Sequence, residues 1–182
     1  MHIHSPEIRD ILNRMDFRVT SHIRKENDSI VFPEMSTINE WPVGGCQPAH
    51  LDTYSRYELE HGEPVDATSP NREWTCILYL NDDFRGGETV FPELTLDDER
   101  IKVNKKVNFY ESNKDNTFSA EIGSGLVFQG IYHQHGVNRV RRGERWTVST
   151  WYTSNPEKIL YPNPVRNLDL DNLSVRFPNA PI

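Results

Sequence analysis

The chain has no apolar run long enough to cross a membrane as a helix, and its first residues lack the basic-then-apolar pattern of a signal peptide. Cysteine is scarce: Cys46 and Cys76 are the two in the sequence. A disulfide between them is one alternative, but we favour two free thiols in a reducing compartment. The sequence therefore predicts a cytoplasmic protein with no membrane segment.

The chain also lacks an excess of positive charge. It has 20 Lys and Arg residues against 27 Asp and Glu residues, which gives a formal net charge of -7. Proteins that bind a phosphate backbone present a basic field, so we expect no nucleic-acid partner. One local group of arginines departs from this trend and would suit a small dianion: Arg139, Arg141, Arg142 and Arg145.

A length of 182 residues suits one domain with its own core. The Ser-Pro-Glu signal at residues 5–7, followed by apolar residues at helical spacing up to Met15, predicts a helix over residues 5–15. After Arg18, short β-type runs alternate with turn residues, as in a sandwich or barrel. The predicted strands are 37–41, 49–54, 75–80, 88–91, 117–122, 125–129, 133–140 and 145–152.

These patterns divide the chain into three parts. Residues 1–35 form a helical support region, residues 36–153 form the β core, and residues 154–182 form an apolar tail. We expect the tail to pack along the domain or against a second copy, which would make a homodimer. Within the core, residues 95–116 are polar and weakly patterned, so we interpret them as a surface excursion that covers a binding site.

Two short segments far apart in the chain carry candidate metal ligands. His50 and Asp52 are two residues apart, so on a strand their side chains would share a face. His133 or His135 could supply a third ligand. Two imidazoles and a carboxylate leave other positions of a metal open, which suits non-haem Fe(II). Alone, each residue also suits an ordinary polar surface, and we favour His135 because Arg145 would return beside it across a turn.

The arginine at position 145 is the candidate anion site. An arginine buried without an acidic partner is costly, and a carboxylate of an organic acid is its natural ligand. The alternative is that Arg145 pairs with Glu144 or with another surface acid. We favour the organic acid because the metal-binding pattern lies in the same predicted region.

In their order and spacing, these segments resemble the prolyl 4-hydroxylase branch of the Fe(II)- and 2-oxoglutarate-dependent dioxygenases. The resemblance covers residues 37–152, and four blocks carry it. They are Trp-Pro-Val-Gly (41–44) ahead of His50 and Asp52; Asn-Arg (71–72) with Tyr-Leu-Asn (79–81); Gly-Gly-Glu-Thr (86–89); and Gly-Leu-Val-Phe (125–128) followed by His135, Gly143, Arg145 and Trp151.

This resemblance implies a mainly β fold: a double-stranded β-helix, that is, a cupin-like jelly-roll, with flanking α-helices. It implies Fe(II), 2-oxoglutarate and O2 as cofactor and co-substrates, with ascorbate as a reductant. The residues that would hold Fe(II) and form the catalytic centre are His50, Asp52 and His135. Those that would bind 2-oxoglutarate are Arg145, for the far carboxylate, and the hydroxyl groups of Tyr79 and Ser149.

The implied activity is hydroxylation of prolyl residues in a peptide or protein, coupled to oxidative decarboxylation of 2-oxoglutarate. Two alternatives stay open: a hydroxylase of a free amino acid or small metabolite, and a non-catalytic jelly-roll that binds metal. The chain departs from the family pattern at Trp41, where a tyrosine is common, and at Gln47, where an aromatic residue is common. Both departures lie near the expected pockets.

Overall fold

Eleven short strands and one α-helix make up most of the described chain, which comprises residues 6–34, 36–53, 71–91 and 117–159 of a computed structural model. Helix α1 spans Pro6–Asn27, and a 3-10 helix spans Pro156–Lys158. The strands are β1 Phe32–Pro33, β2 Thr37–Trp41, β3 Gln47–His50, β4 Trp74–Tyr79, β5 Arg85–Gly86, β6 Thr89–Val90, β7 Thr117–Phe118, β8 Gly125–Phe128, β9 His135–Val137, β10 Val140–Arg142 and β11 Arg145–Thr153.

The strands form two antiparallel sheets and a small ribbon. The main sheet has the order β1-β11-β4-β8, with β2 also paired to β11; the second sheet has the order β3-β9-β6-β7. Strands β5 and β10 pair with each other. Leaving the ribbon aside, the described chain passes from one sheet to the other after β2, β3, β4, β7, β8 and β9, as in a jelly-roll. The predicted double-stranded β-helix is thus confirmed, with one α-helix beside it in the part of the chain that the structure describes.

The main sheet has one face toward the second sheet. Residues opposite each other in antiparallel strands share a face, and Tyr79 lies opposite Thr147. Tyr79 stacks on Phe118 of the second sheet, with ring centroids 5.7 Å apart. Ile77 and Phe128 join Tyr79 in a buried cluster. We call this side of the main sheet the inner face.

Helix α1 covers the opposite, outer face. Val19 and Ile23 pack in one cluster with Cys76 and Tyr152 of the sheet. The Tyr152 hydroxyl also donates to Oδ1 of Asp16 at 2.9 Å, so that this buried carboxylate has a polar partner. The outer face therefore supplies packing that is independent of the space between the sheets.

The prediction of a helix over residues 5–15 was too short, because α1 continues to Asn27. Its buried residues are Leu12, Asp16, Val19 and Ile23, which keep helical spacing throughout. The aspartate interrupts the apolar stripe in the sequence. Only the fold supplies its partner, Tyr152, from a distant strand.

Other boundaries differ from the prediction in two places that matter for the site. The run 133–140 is not one strand: β9 joins the second sheet, whereas β10 pairs with β5. The run 49–54 ends as a strand at His50. The predicted excursion 95–116 and most of the predicted tail lie outside the described residues. No helix in the described ranges is long and apolar enough to cross a bilayer.

Candidate metal and anion site

Three potential metal ligands converge where β3 meets β9. His50, the last residue of β3, lies directly opposite His135, the first residue of β9, and their ring centroids are 4.4 Å apart. Asp52 follows in a bend, with carboxylate oxygens 3.8 Å from Nε2 of His50 and 3.6 Å from Nε2 of His135. One donor atom from each residue lies within 4.8 Å of the others. The sheet register therefore brings together residues that are 85 positions apart in the sequence.

Asp52 is held from two sides although it lies beyond the strand. Its backbone N–H donates to the carbonyl of Gly130 at 3.2 Å. The Thr75 hydroxyl donates to Oδ2 of its carboxylate. A Cβ atom at Gly130 would overlap both Asp52 Oδ2 and Thr75 Oγ1, so only glycine fits at this position. The carboxylate is thus fixed by its neighbours and not by the strand pleat that the sequence suggested.

Backbone carbonyls orient both imidazoles. Nδ1 of His50 lies 3.0 Å from the Pro48 carbonyl, and Nδ1 of His135 lies 3.2 Å from the His133 carbonyl. A carbonyl only accepts, so Nδ1 carries the proton in each neutral ring. Each Nε2 then carries a lone pair on the side of Asp52, and that of His50 also lies 3.3 Å from the amide nitrogen of Gln47, which donates to it. His133 contributes its backbone to this arrangement, and its side chain is outside the three-residue group.

The electrostatics of His135 favour metal binding. Burial lowers its pKa to about 4; the Asp52 carboxylate opposes this shift, and His50 adds to it. The imidazole is therefore neutral near pH 7, which is the form that binds a metal. The Phe128 ring lies 4.6 Å from the His135 ring and shields it from water. Two imidazoles and one carboxylate, facing one point, fit the ligand set of non-haem Fe(II).

Arg145, the first residue of β11, provides a buried cation between the sheets. Its side chain is 1% exposed, and burial lowers its pKa, an effect that Tyr79 partly offsets. Nη2 donates to Oγ1 of Thr89 at 3.2 Å. No acidic side chain forms an ion pair with it within the described ranges, and Glu144 is exposed. The buried guanidinium therefore suits an anionic ligand.

Two buried N–H donors lie at this site, one on the guanidinium itself and one on a neighbouring ring. Nε of Arg145 and Nε1 of Trp41 are both buried, and neither has a hydrogen-bond partner among the residues that the structure describes. The guanidinium carbon lies 5.4 Å from the Trp41 ring centroid and 5.3 Å from the Tyr79 ring centroid. Buried N–H groups without acceptors are costly, and a carboxylate placed beside them would satisfy them. The residues present therefore fit the far carboxylate of 2-oxoglutarate.

The hydroxyl groups around Arg145 differ in part from those predicted. The Tyr79 hydroxyl lies 2.7 Å from Oγ1 of Thr89, so Thr89 connects Tyr79 to Arg145. Ser149 is on the same face of β11, but its hydroxyl accepts from Nδ2 of Asn39 at 2.9 Å. Sequence analysis placed Thr89 on the predicted strand 88–91 but gave it no role in the site, because Gly-Gly-Glu-Thr (86–89) suggested only a turn that enters a strand. The strand alternation beyond that turn was the available signal.

A family model described as the 2OG-Fe(II) oxygenase superfamily matches residues 36–153. Prolyl 3-hydroxylase 2 of Rattus norvegicus is 33% identical over 86 residues, which are 47% of this chain and 10% of that protein. Prolyl 3-hydroxylase 1 of Gallus gallus is 30% identical over 86 residues, with the same coverage. The chain thus spans about a tenth of the length of these curated relatives.

Solved structures share the fold. An oxidoreductase of the 2OG-Fe(II) oxygenase family from Burkholderia pseudomallei superposes with a TM-score of 0.58 at 21% identity, covering 90% of this chain and 66% of that chain. A prolyl-4-hydroxylase from Pseudomonas putida has a TM-score of 0.53 at 17% identity, covering 84% and 68% of the two chains. These similarities support the jelly-roll architecture.

Proposed function

Because the chain belongs to the 2OG-Fe(II) oxygenase superfamily, we propose that it is a 2-oxoglutarate-dependent dioxygenase that hydroxylates prolyl residues of a peptide or protein. The observation that carries the proposal is the convergence of His50, Asp52 and His135 on one point. The proposal is also supported by Arg145, which is buried in the space between the same two sheets and forms no ion pair with an acidic side chain of the described residues. The prolyl hydroxylase relatives support the choice of substrate.

The residues of this chain would hold the reactants and exclude water. Fe(II), with 2-oxoglutarate and O2, supplies oxidative decarboxylation coupled to hydroxylation of a C–H bond. The three ligands would hold the ion, and Thr75 would keep the Asp52 carboxylate in position. Arg145 and the Tyr79–Thr89 pair would orient the far carboxylate of the co-substrate. The aromatic wall around His135 would keep bulk water away.

A second group of side chains lies beside the metal ligands, on the side that we assign to the substrate. Thr53, next to Asp52, donates its hydroxyl to the Arg72 carbonyl at 3.3 Å. The Arg72 guanidinium lies 4.0 Å above the Trp151 ring, and its Nε donates to Oε2 of Glu34 at 2.7 Å. This group is therefore tied by hydrogen bonds and ring contact to the bend that carries Asp52.

Trp151 and Arg145 lie near opposite ends of β11, so the substrate and the co-substrate can be assigned to different ends of this strand. Trp151 pairs with Thr75, the residue that binds Asp52, so it lies near the metal ligands on the inner face. Arg145 is six residues away at the other end of β11, about 20 Å along an extended strand. A prolyl ring is apolar and suits an aromatic surface, and a peptide carbonyl would accept from Nε1 of Trp151, a buried donor that has no hydrogen-bond partner within the described ranges. We assign this end to the peptide.

The test is a mass measurement on candidate substrates. The purified chain is incubated with Fe(II), 2-oxoglutarate, ascorbate and air, together with proline-rich peptides or free proline. We expect a gain of one oxygen on the peptide and release of succinate, both lost in His50→Ala. Oxidation of free proline alone would favour the small-metabolite alternative. Metal binding without succinate release would contradict the proposal and favour a non-catalytic binding module.

A further inference from the structure

A groove of about 790 Å³ lies between α1 and the outer face of the main sheet, on the side of the sheet away from the metal ligands. Its sheet wall includes Leu78 and Val127, and its helix wall includes Arg14, Arg18 and His22. It opens along β8, which is an edge strand of the main sheet in the described ranges. The groove is therefore accessible to an additional segment of chain.

The walls of the groove differ in polarity. Arg14, Arg18 and His22 recur every four residues, so they form one stripe along α1, in which Arg14 also forms an exposed ion pair with Asp10 at 3.0 Å. Apolar side chains are exposed nearby: Ile11, which lines the groove, is 50% exposed, and Ile122, next to the lining residue Gly123, is 63% exposed. An apolar floor with a basic rim is complementary to a segment that is apolar on one side and acidic on the other.

The chain itself contains such a segment. Residues 168–173 read Leu-Asp-Leu-Asp-Asn-Leu, and in an extended conformation the first two leucines and the two aspartates point to opposite sides. We propose that this segment of the chain's own tail occupies the groove, with Leu168 and Leu170 against the sheet and Asp169 and Asp171 beside the basic stripe. The proposal concerns the outer face and is independent of the proposed catalytic function.

The end of the described chain is suitably placed for this contact. Ser154 donates through its backbone N–H and its hydroxyl to Oε1 of Glu73, at 3.0 and 2.6 Å. Glu73 precedes β4, whose first residues lie beside the end of β8 through the pair Thr75–Phe128. The chain thus leaves the main sheet from the end of β11, at the same end of the sheet as Phe128 of β8.

The connecting length is sufficient for docking within one molecule. Eight residues lie between Ile159, the last described residue, and Leu168, and the nine Cα-to-Cα steps span up to about 30 Å when extended. β8 is two strands away from β11, or about 10 Å. No exchange between two copies is needed to bring residues 168–173 to the groove.

Charge reversal on both sides of the proposed contact tests it. We expect Arg14→Glu with Arg18→Glu to lower Tm by about 2 to 4 °C, since about 1 kcal/mol shifts Tm by that amount in a chain of this size. Asp169→Arg with Asp171→Arg should lower Tm similarly. Combining the four changes should recover most of the loss, because the opposite charges face each other again.

A matched control uses basic residues of α1 that do not line the groove. Arg9→Glu with Arg24→Glu makes the same change in net charge. Its effect on Tm should add to that of the aspartate reversals, with no recovery. Fe(II) binding should be unchanged in all these variants, which shows that they fold and separates this test from that of the catalytic function.

The outcomes distinguish the occupants of the groove. Recovery of Tm in a chain that light scattering shows to be monomeric at every concentration supports docking within one molecule. Recovery that appears only in a dimer would assign the groove to a second copy's tail and overturn the proposal, as would simple additivity. Apolar contact is tested independently, because Leu170→Asp should lower Tm and Leu170→Met should keep it.

Discussion

The two faces of β11 differ in what they contact. Arg145, Thr147 and Ser149 point into the space between the sheets, whereas Val148 and Tyr152 point toward α1. The inner face carries the anion site and borders the metal site, and the outer face packs against a helix. The pleat of a single strand therefore separates chemistry from packing, and neighbouring residues should affect different properties of the protein.

Polar residues are tolerated on the inner face because they bind one another. Thr89 is shared by Tyr79 and Arg145, and Thr75 donates to Asp52. On the outer face, the Tyr152 hydroxyl donates to Asp16 of the helix in a contact that touches neither ligand site. Most of these polar side chains on the inner face therefore belong to the metal or anion site. Substituting them should change ligand affinity more than the free energy of unfolding.

The largest effect is expected from removing a metal ligand on the inner side. Asp52→Ala should weaken Fe(II) binding by more than 100-fold, since loss of a residue that merely supports a ligand costs 10–100-fold. Succinate release should be abolished. Tm of the metal-free protein should stay the same or rise, because a buried carboxylate is removed. Calorimetric titration and thermal melts measure both quantities, with the exposed Asp10→Ala as control. Unfolding of Asp52→Ala would instead indicate a structural metal.

The outer face should show the reverse behaviour. Ile23 is 0% exposed in the cluster beneath α1, so Ile23→Ala should lower the free energy of unfolding by about 2 to 4 kcal/mol. Metal affinity of the folded protein should not change. Urea denaturation provides the measurement, and Ile30→Ala is the matched control, because Ile30 is 59% exposed. A large loss of metal affinity in Ile23→Ala would mean that the two faces are coupled.

Substitutions of Arg145 test the anion site on the inner face separately from the metal site. Arg145→Ala should weaken 2-oxoglutarate binding about 100-fold, because charged hydrogen bonds contribute about 1.5–3 kcal/mol. Arg145→Lys should keep part of the affinity but lose the planar, bidentate hydrogen bonding of a guanidinium to a carboxylate. Metal affinity should be unchanged in both. Arg141→Ala is the control, because Arg141 is exposed. If wild type and Arg145→Ala bind 2-oxoglutarate with equal affinity, Arg145 is not the anion site and that part of the proposal is wrong.

Local pattern predicted the strands of the main sheet well. Thr37–Trp41 was found as predicted, and β4, β8 and β11 are each displaced by one residue at one or both ends. The β-branched and apolar runs of β4 and β11 are largely buried on both faces, so their signal is strong. Helix α1 was predicted too short because Asp16 interrupts its apolar stripe. Its partner Tyr152 lies 136 residues away and cannot be inferred from local sequence.

The site was accessible to sequence reasoning for a different reason. His50, Asp52 and His135 stand out because their residue types share one chemistry, and the pairing of β3 with β9, with the bend after β3, brings them together. Thr89 and Gly130 act through contacts across the fold, and their residue types alone suggest nothing specific. The cytoplasmic location stays a prediction.

The smallest and sharpest test uses two adjacent residues of β4 that point to opposite faces. Thr75 donates to Asp52 on the inner face, and Cys76 packs with Tyr152 on the outer face. Thr75→Val keeps the side-chain shape and should weaken Fe(II) binding about tenfold with little change in Tm, because the carboxylate loses its orienting hydroxyl. Cys76→Ala should instead lower the free energy of unfolding by about 1 kcal/mol and leave metal affinity intact. Each variant is the control for the other, so metal titration and urea denaturation are run on both. If both changes move the same property, the pleat does not separate chemistry from packing, and α1 would have to be counted as part of the catalytic architecture.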